Sequence, residues 1–255
     1  MKHIFLLLIA GMLMLSACEK KDDGPATGTL ELVCKANFAG DPLVIGTAYD
    51  YPLNDWSLKF YLVDYLMSNV RLVDQNGEAI SLADVAIVDF SPVNTDPAKA
   101  AAGIKFTFSD VPKGTYPTMI VGIGVDTAVN RTRPQDYPSG HPLSIGANRY
   151  WDAWDSFIFT KTQGLADLTG SGVFSTPFSY HTGGDALYRE VSFAHVTRIE
   201  GGQTTTMTLD LDVRDLFQQA DGTWWDIQAQ PNAHTPDDPA MLMIMDNYED
   251  AFSLF

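Results

Sequence analysis

What most restricts the fold of this chain is the repetition of short runs rich in β-branched and aromatic residues, each closed by turn formers, with no long helical pattern between them. "TLELVCKANF", "LKFYLVDYLMSNVRLV", "AIVDF", "IKFTF", "TMIVGIGV", "SFIFT", "EVSFAHVTRI" and "TTTMTLDLDV" follow one another, divided by turns such as Gln75-Asn76-Gly77-Glu78 and Pro112-Lys113-Gly114-Thr115. Alternation is strictest where Met207, Leu209, Leu211 and Val213 share one strand face. The pattern predicts an all-β fold, a single-domain β-sandwich of Ig-like or Greek-key type with long functional loops and little helix. Short helical stretches are expected only from Leu62 to Ser68, from Val213 to Gln219 and from Asp246 to Phe255.

The first residues have a different logic. The apolar run from Ile4 to Leu15 is too short to span a bilayer as a helix and leads into Leu15-Ser16-Ala17-Cys18, which resembles a bacterial lipobox. Residues 1–17 are therefore expected to be a lipoprotein signal peptide, with Cys18 becoming the lipid-bearing N-terminus. Residues 18–27, charged and then rich in Gly and Pro, read as an acidic flexible tether, and residues 28–255 as one β-sandwich domain. The run Lys21-Asp22-Asp23 resembles the acidic export signal of Bacteroidetes-type lipoproteins, so display on the outer face of the outer membrane is the expected location.

The formal charge is −16, and about −17 once Lys2 leaves with the leader, a surface that repels polyanions and excludes nucleic acid as a partner. Cys34 is then the only thiol left, so stability rests on an apolar core and not on an internal disulfide. Its alternation with Leu32 and Ala36 makes it a small buried hydrophobe.

Loops are where function is expected. The longest irregular stretch, from Asp126 to Trp154, carries three prolines together with Tyr137, Tyr150, Trp151 and Trp154, and reads as an ordered, packed loop. His195 lies in "SFAHVTRI" and reads as a strand histidine sharing a face with Phe193 and Thr197. His141, His181 and His234 sit in turn-rich contexts, and the last precedes Met241, Met243 and Met245. Imidazole and thioether donors in an oxidising compartment lean to copper over zinc, although "MLMIM" taken alone reads as core packing. Imidazole must be neutral to bind, so affinity is expected to fall as the pH drops toward about 6. No Gly-x-Ser-x-Gly elbow, Cys-x-x-Cys-His attachment, His-Glu-x-x-His or phosphate loop is present, so no catalytic residue is assigned and the chain is expected not to be an enzyme.

Several segments taken in order resemble the MbnP-like family of exported, methanobactin-associated proteins. They are "FAGDPL", "LKFYLVDYLMSNVRLVDQNGE", "VPKGTY", "GIGVDTAVN", "HPLS" followed by "YWDAW", "FSYHTGGDALYREV" and "LDLDVRDLF". The resemblance implies a β-rich fold, copper as the cofactor, and a diheme cytochrome c peroxidase-like partner that oxidises a tryptophan to kynurenine. It points to Trp151, with Trp154 second, as the modified residue, and to His181, His141 and His234 as metal ligands. The function so implied is that of an outer-membrane-anchored copper-binding or copper-acquisition lipoprotein. Two alternatives stay open on the residues alone: a surface glycan- or nutrient-binding accessory lipoprotein with Trp151, Trp154, Trp224 and Trp225 as an aromatic platform, and a metal-free structural module.

Overall fold

A computed structural model describes residues 26–235 and 237–255. The expected signal peptide, Cys18 and nearly all of the tether lie outside these residues. Among the described residues no helix is long and apolar enough to cross a membrane.

Two sheets carry the fold. In the first, Thr27–Phe38 pairs antiparallel with Ile104–Pro112 on one side and parallel with Thr204–Asp212 on the other, and Phe252–Leu254 extends the sheet beyond. The second is organised by one long strand, Trp56–Val73. Along one edge it holds Ala48–Tyr51 and Ala79–Asp89; along the other it holds Ser156–Asp167 and then Thr118–Ile123. A register shift falls in the middle of that strand, next to Asn69 at φ 47°. Asparagine tolerates the left-handed conformation, and the bulge bends the strand so that it serves two partners on the same edge.

The sheets pack face to face. Phe38 of the first meets Phe60 of the second at 5.7 Å between ring centroids, and Phe252 meets Tyr65 at 5.5 Å. Cys34 is fully buried between them, as its alternation required. The all-β sandwich expected from the sequence is thus the architecture found.

Four local expectations are corrected. Residues 62–68 are not helical: they belong to the long strand, and residues 63–68 are all buried, so coverage on both faces hides the alternation. The second helical stretch shrinks to a 3-10 turn at Asp215–Phe217. The terminal helix is Pro239–Ala251. It starts early because Asp238 caps it, accepting from the Ala240 N–H, with Pro239 in the first turn. It stops early because Phe252–Leu254 joins the first sheet. Met241, Ile244, Met245 and Tyr248 recur at helical spacing and are buried, so Met241 and Met245 pack the core. Finally, "EVSFAHVTRI" divides into Arg189–Phe193 and Thr197–Ile199, and His195 lies in the connection between them, not on a strand.

Candidate functional site

The strand Thr176–Gly183 lies antiparallel to Ser156–Asp167, with Lys161 opposite His181 and Gln163 opposite Ser179. Successive side chains point to opposite faces. Phe178, Tyr180 and Thr182 enter the core, which leaves Ser179 and His181 on the outer face. His181 therefore sits within a strand, which ends at Gly183 before the chain bends at Gly184. Along the free edge of this strand the short segment Asn232–Ala233 adds in parallel, pairing Ser179 with Asn232 and Tyr180 with Ala233. Continuing that register brings His234 beside His181. The two imidazoles meet nearly perpendicular, at 84° and 4.8 Å between centroids.

A pair of tryptophans covers the histidines. Trp151 and Trp154 bracket the 3-10 turn Asp152–Trp154, whose three-residue repeat puts side chains i and i+3 over one another. Their rings stack at 4.5 Å and 19°. Trp151 lies 5.6 Å from the His234 ring and 6.2 Å from the His181 ring. Trp154 donates its indole N–H to the His234 carbonyl at 2.7 Å. It also packs over Gly183, where a Cβ would stand 3.0 Å from two ring carbons and 2.5 Å from the Phe157 carbonyl oxygen. Only glycine admits the indole there.

Beneath the rings lies a polar network. The Gln163 amide nitrogen lies 2.6 Å from His181 Nε2 and donates to Ser179 Oγ at 3.1 Å. Ser179 Oγ in turn lies 3.1 Å from His234 Nε2 and 3.5 Å from His181 Nε2. His181 Nδ1 is buried and has no hydrogen-bond partner. Burial, the neighbouring His234 and the cations Lys161 and Arg149 push the His181 pKa down to about 4. Burial also lowers that of His234. Both rings are neutral at pH 7 and keep a lone pair free for a metal.

The segment carrying Trp151 is anchored from below by Arg149, which forms a buried ion pair with Asp64 of the long strand at 2.5 Å; the two side chains are 2% and 4% exposed. Burial raises the Asp64 pKa, with Arg149 acting in opposition. A second Arg149 bond reaches the Ile158 carbonyl.

The sequence-predicted residues divide. His181, His234, Trp151 and Trp154 come together. His141 does not join them: its ring stacks on Tyr137 at 4.4 Å and its Nδ1 accepts from the Leu143 N–H, so it staples its own loop. Trp224 and Trp225 are half-buried elsewhere, the former edge-on to Tyr51 at 6.1 Å, the latter donating to the Gln230 carbonyl. No tryptophan is among the exposed large hydrophobic residues, so the four do not form an open stacking platform. Gln163 and Ser179 were not singled out from sequence. Ser179 was findable, because it precedes His181 by two on the same strand and shares its face, whereas Gln163 required the strand pairing.

As a donor set the site is sparse. Among the described residues no group of three or more His, Cys, Asp or Glu side chains could hold a metal ion. Zinc sites take three or four such ligands. Two neutral imidazoles, one with a buried and unpartnered nitrogen, are donors of the type that suits copper, zinc, iron or nickel.

A two-sheet β-sandwich with an imidazole pair under stacked tryptophans on its outer face is thus the class of protein that fold and site define. The MbnP family model matches residues 27–235, and the chain belongs to that family. Among solved structures, MbnP from Methylosinus trichosporium matches with a TM-score of 0.59 over 89% of this chain and 98% of that one. At 15% identity the likeness is one of fold. No curated protein sequence matches the chain.

Proposed function

We propose that this protein binds copper, as Cu(I), through His181 and His234, with Trp151 as the residue oxidised to kynurenine. The observation that carries the reading is the meeting of the two imidazoles at 4.8 Å beneath Trp151. Membership of the MbnP family, linked to methanobactin and hence copper biology, supports it. Two imidazoles leave a metal short of donors, and kynurenine would add a ketone oxygen and an aniline nitrogen at the ring that lies against both. Trp154, stacked on Trp151 and fixed by its own hydrogen bond, is the weaker candidate for modification.

The role is binding and not catalysis, and the oxidant would come from a diheme cytochrome c peroxidase-like partner. The finer setting, an outer-membrane lipoprotein facing the cell surface and serving copper acquisition, rests on Cys18 and on Lys21-Asp22-Asp23. Half-burial of the tryptophans weighs against the glycan-platform alternative.

Metal analysis of protein purified from its own host tests the copper claim. His181→Ala and His234→Ala should each remove most of the copper, while His141→Ala and His195→Ala should leave it. Equal loss from all four, or no copper in the wild type, would overturn the assignment and leave a metal-free module. The modification is read by intact mass: one carbon replaced by one oxygen adds about 4 Da, a covalent change to be localised to the Trp151 peptide.

A further inference from the structure

The two histidines are wired to each other through Gln163 and Ser179, and that wiring bears on which nitrogen of each ring faces a metal. Two arrangements of protons fit the distances. If the Gln163 amide nitrogen donates to His181 Nε2, that ring must carry its proton on Nδ1, where the atom is buried and no acceptor is present. A buried N–H without an acceptor is rare and unfavourable, more so than an unshared lone pair. The nitrogen and oxygen of a carboxamide exchange places by a half-turn about its terminal bond. After that half-turn the Nε2 proton of each histidine finds an acceptor. His181 Nε2–H and the Ser179 hydroxyl both donate to the Gln163 oxygen, and His234 Nε2–H donates to Ser179 Oγ across the 3.1 Å contact.

We infer that Gln163 and Ser179 are positioning residues that hold both imidazoles as Nε2–H tautomers, so that His181 and His234 offer Nδ1 to the metal. The inference rests on the copper reading for the identity of the ion but not for the tautomers, which belong to the metal-free protein. A ligating histidine characteristically donates its other ring N–H to a fixed acceptor, and only Nδ1 ligation leaves that role to the groups present here. Ligation through Nε2 would break the Gln163 and Ser179 contacts and strand the His181 Nδ1 proton. The site is assembled by strand register: Gln163 lies opposite Ser179, and Ser179 precedes His181 by two on the same face.

Long-range proton–nitrogen NMR correlation on the metal-free, nitrogen-15-labelled mature chain decides the matter. At neutral pH, His181 and His234 should both show the Nε2–H pattern. An Nδ1–H pattern at His181 would overturn the proposal. Cu(I) alone, titrated against a chromophoric chelator, supplies the second readout. Gln163→Leu should weaken Cu(I) binding about 10- to 100-fold, the usual cost of losing the partner of a ligating histidine. Gln163→Glu, which keeps an acceptor oxygen, should restore it, whereas equal losses in the two variants would mean that Gln163 only fills space and would also overturn the proposal. If the wild type takes up no copper the metal assignment falls, and the tautomer spectrum still decides the proton arrangement.

Discussion

The indole N–H of Trp154 donates to the backbone carbonyl of His234 at 2.7 Å across eighty positions of sequence, and this bond ties the tryptophan turn to the short edge strand that carries the second histidine. Trp154→Phe trims the indole, whose six-membered ring lies over Gly183, and removes that bond. It should cost about 1 kcal/mol, equivalent to a fall of about 2–4 °C in Tm. Gly183→Ala should cost more, about 1–3 kcal/mol, because the new methyl meets both Trp154 and the Phe157 carbonyl. Thermal unfolding of both variants checks the order; a silent Gly183→Ala would mean that the indole does not rest there.

Acid sensitivity should have a defined window. The folded-state pKa of His181 lies at about 4, below the ordinary histidine value of 6.5, chiefly through burial. The unfolded chain takes up a proton near the ordinary value while the folded chain does not. The stability this neutral histidine contributes is complete above about pH 6.5 and is lost as the pH falls toward 4. Denaturant titrations between these limits should show the decline, and His181→Phe should flatten it.

The same shift revises the expectation that copper binding weakens near pH 6. Protons begin to compete at His181 only near pH 4, so Cu(I) affinity at that ligand should hold through the mildly acidic range. A competition series from pH 7 to 4, run on the wild type and on His234→Ala, measures this; a drop centred on pH 6 that persists in His234→Ala would overturn the protection of His181 from protons.

Arg149 and Asp64 form a pair that should tolerate joint removal better than single removal. Arg149→Met strands a buried carboxyl and should destabilise the fold by about 3 kcal/mol, while Asp64→Leu with Arg149→Met should recover most of that loss. A double-mutant cycle by chemical denaturation gives the coupling. Because Arg149 precedes Tyr150 and Trp151, the single variant should also loosen the tryptophan turn, visible as a change in indole fluorescence.

The proposed membrane anchor is independent of the site. Cys18→Ser should abolish lipidation and shift the protein to the aqueous phase in detergent partition, since acyl chains are what the sequence offers for anchoring. Unchanged partition would remove the lipoprotein reading without touching the copper reading.

The sequence by itself determined the β class, the two-sheet architecture and the burial of Cys34, because alternation and turn chemistry are local and each segment states its own preference. It also supplied the residues of the family resemblance and drew attention to His181, His234, Trp151 and Trp154. Where both faces of a strand are covered, as at residues 63–68, alternation vanishes and local preference misled. The histidines show the limit most clearly. His181 looked like a turn residue and is a strand residue; His195 looked like a strand residue and lies in a connection; His141 shares the turn-rich setting of His234 but stacks on Tyr137. Which histidines meet was decided by the parallel register of Asn232–Ala233 against Ser179 and Tyr180, a pairing between segments fifty residues apart. Gln163 and the Arg149–Asp64 pair entered the site by the same route. Register between distant strands is fixed by burial of the whole sheet face, a property of the assembled sandwich that no single segment carries.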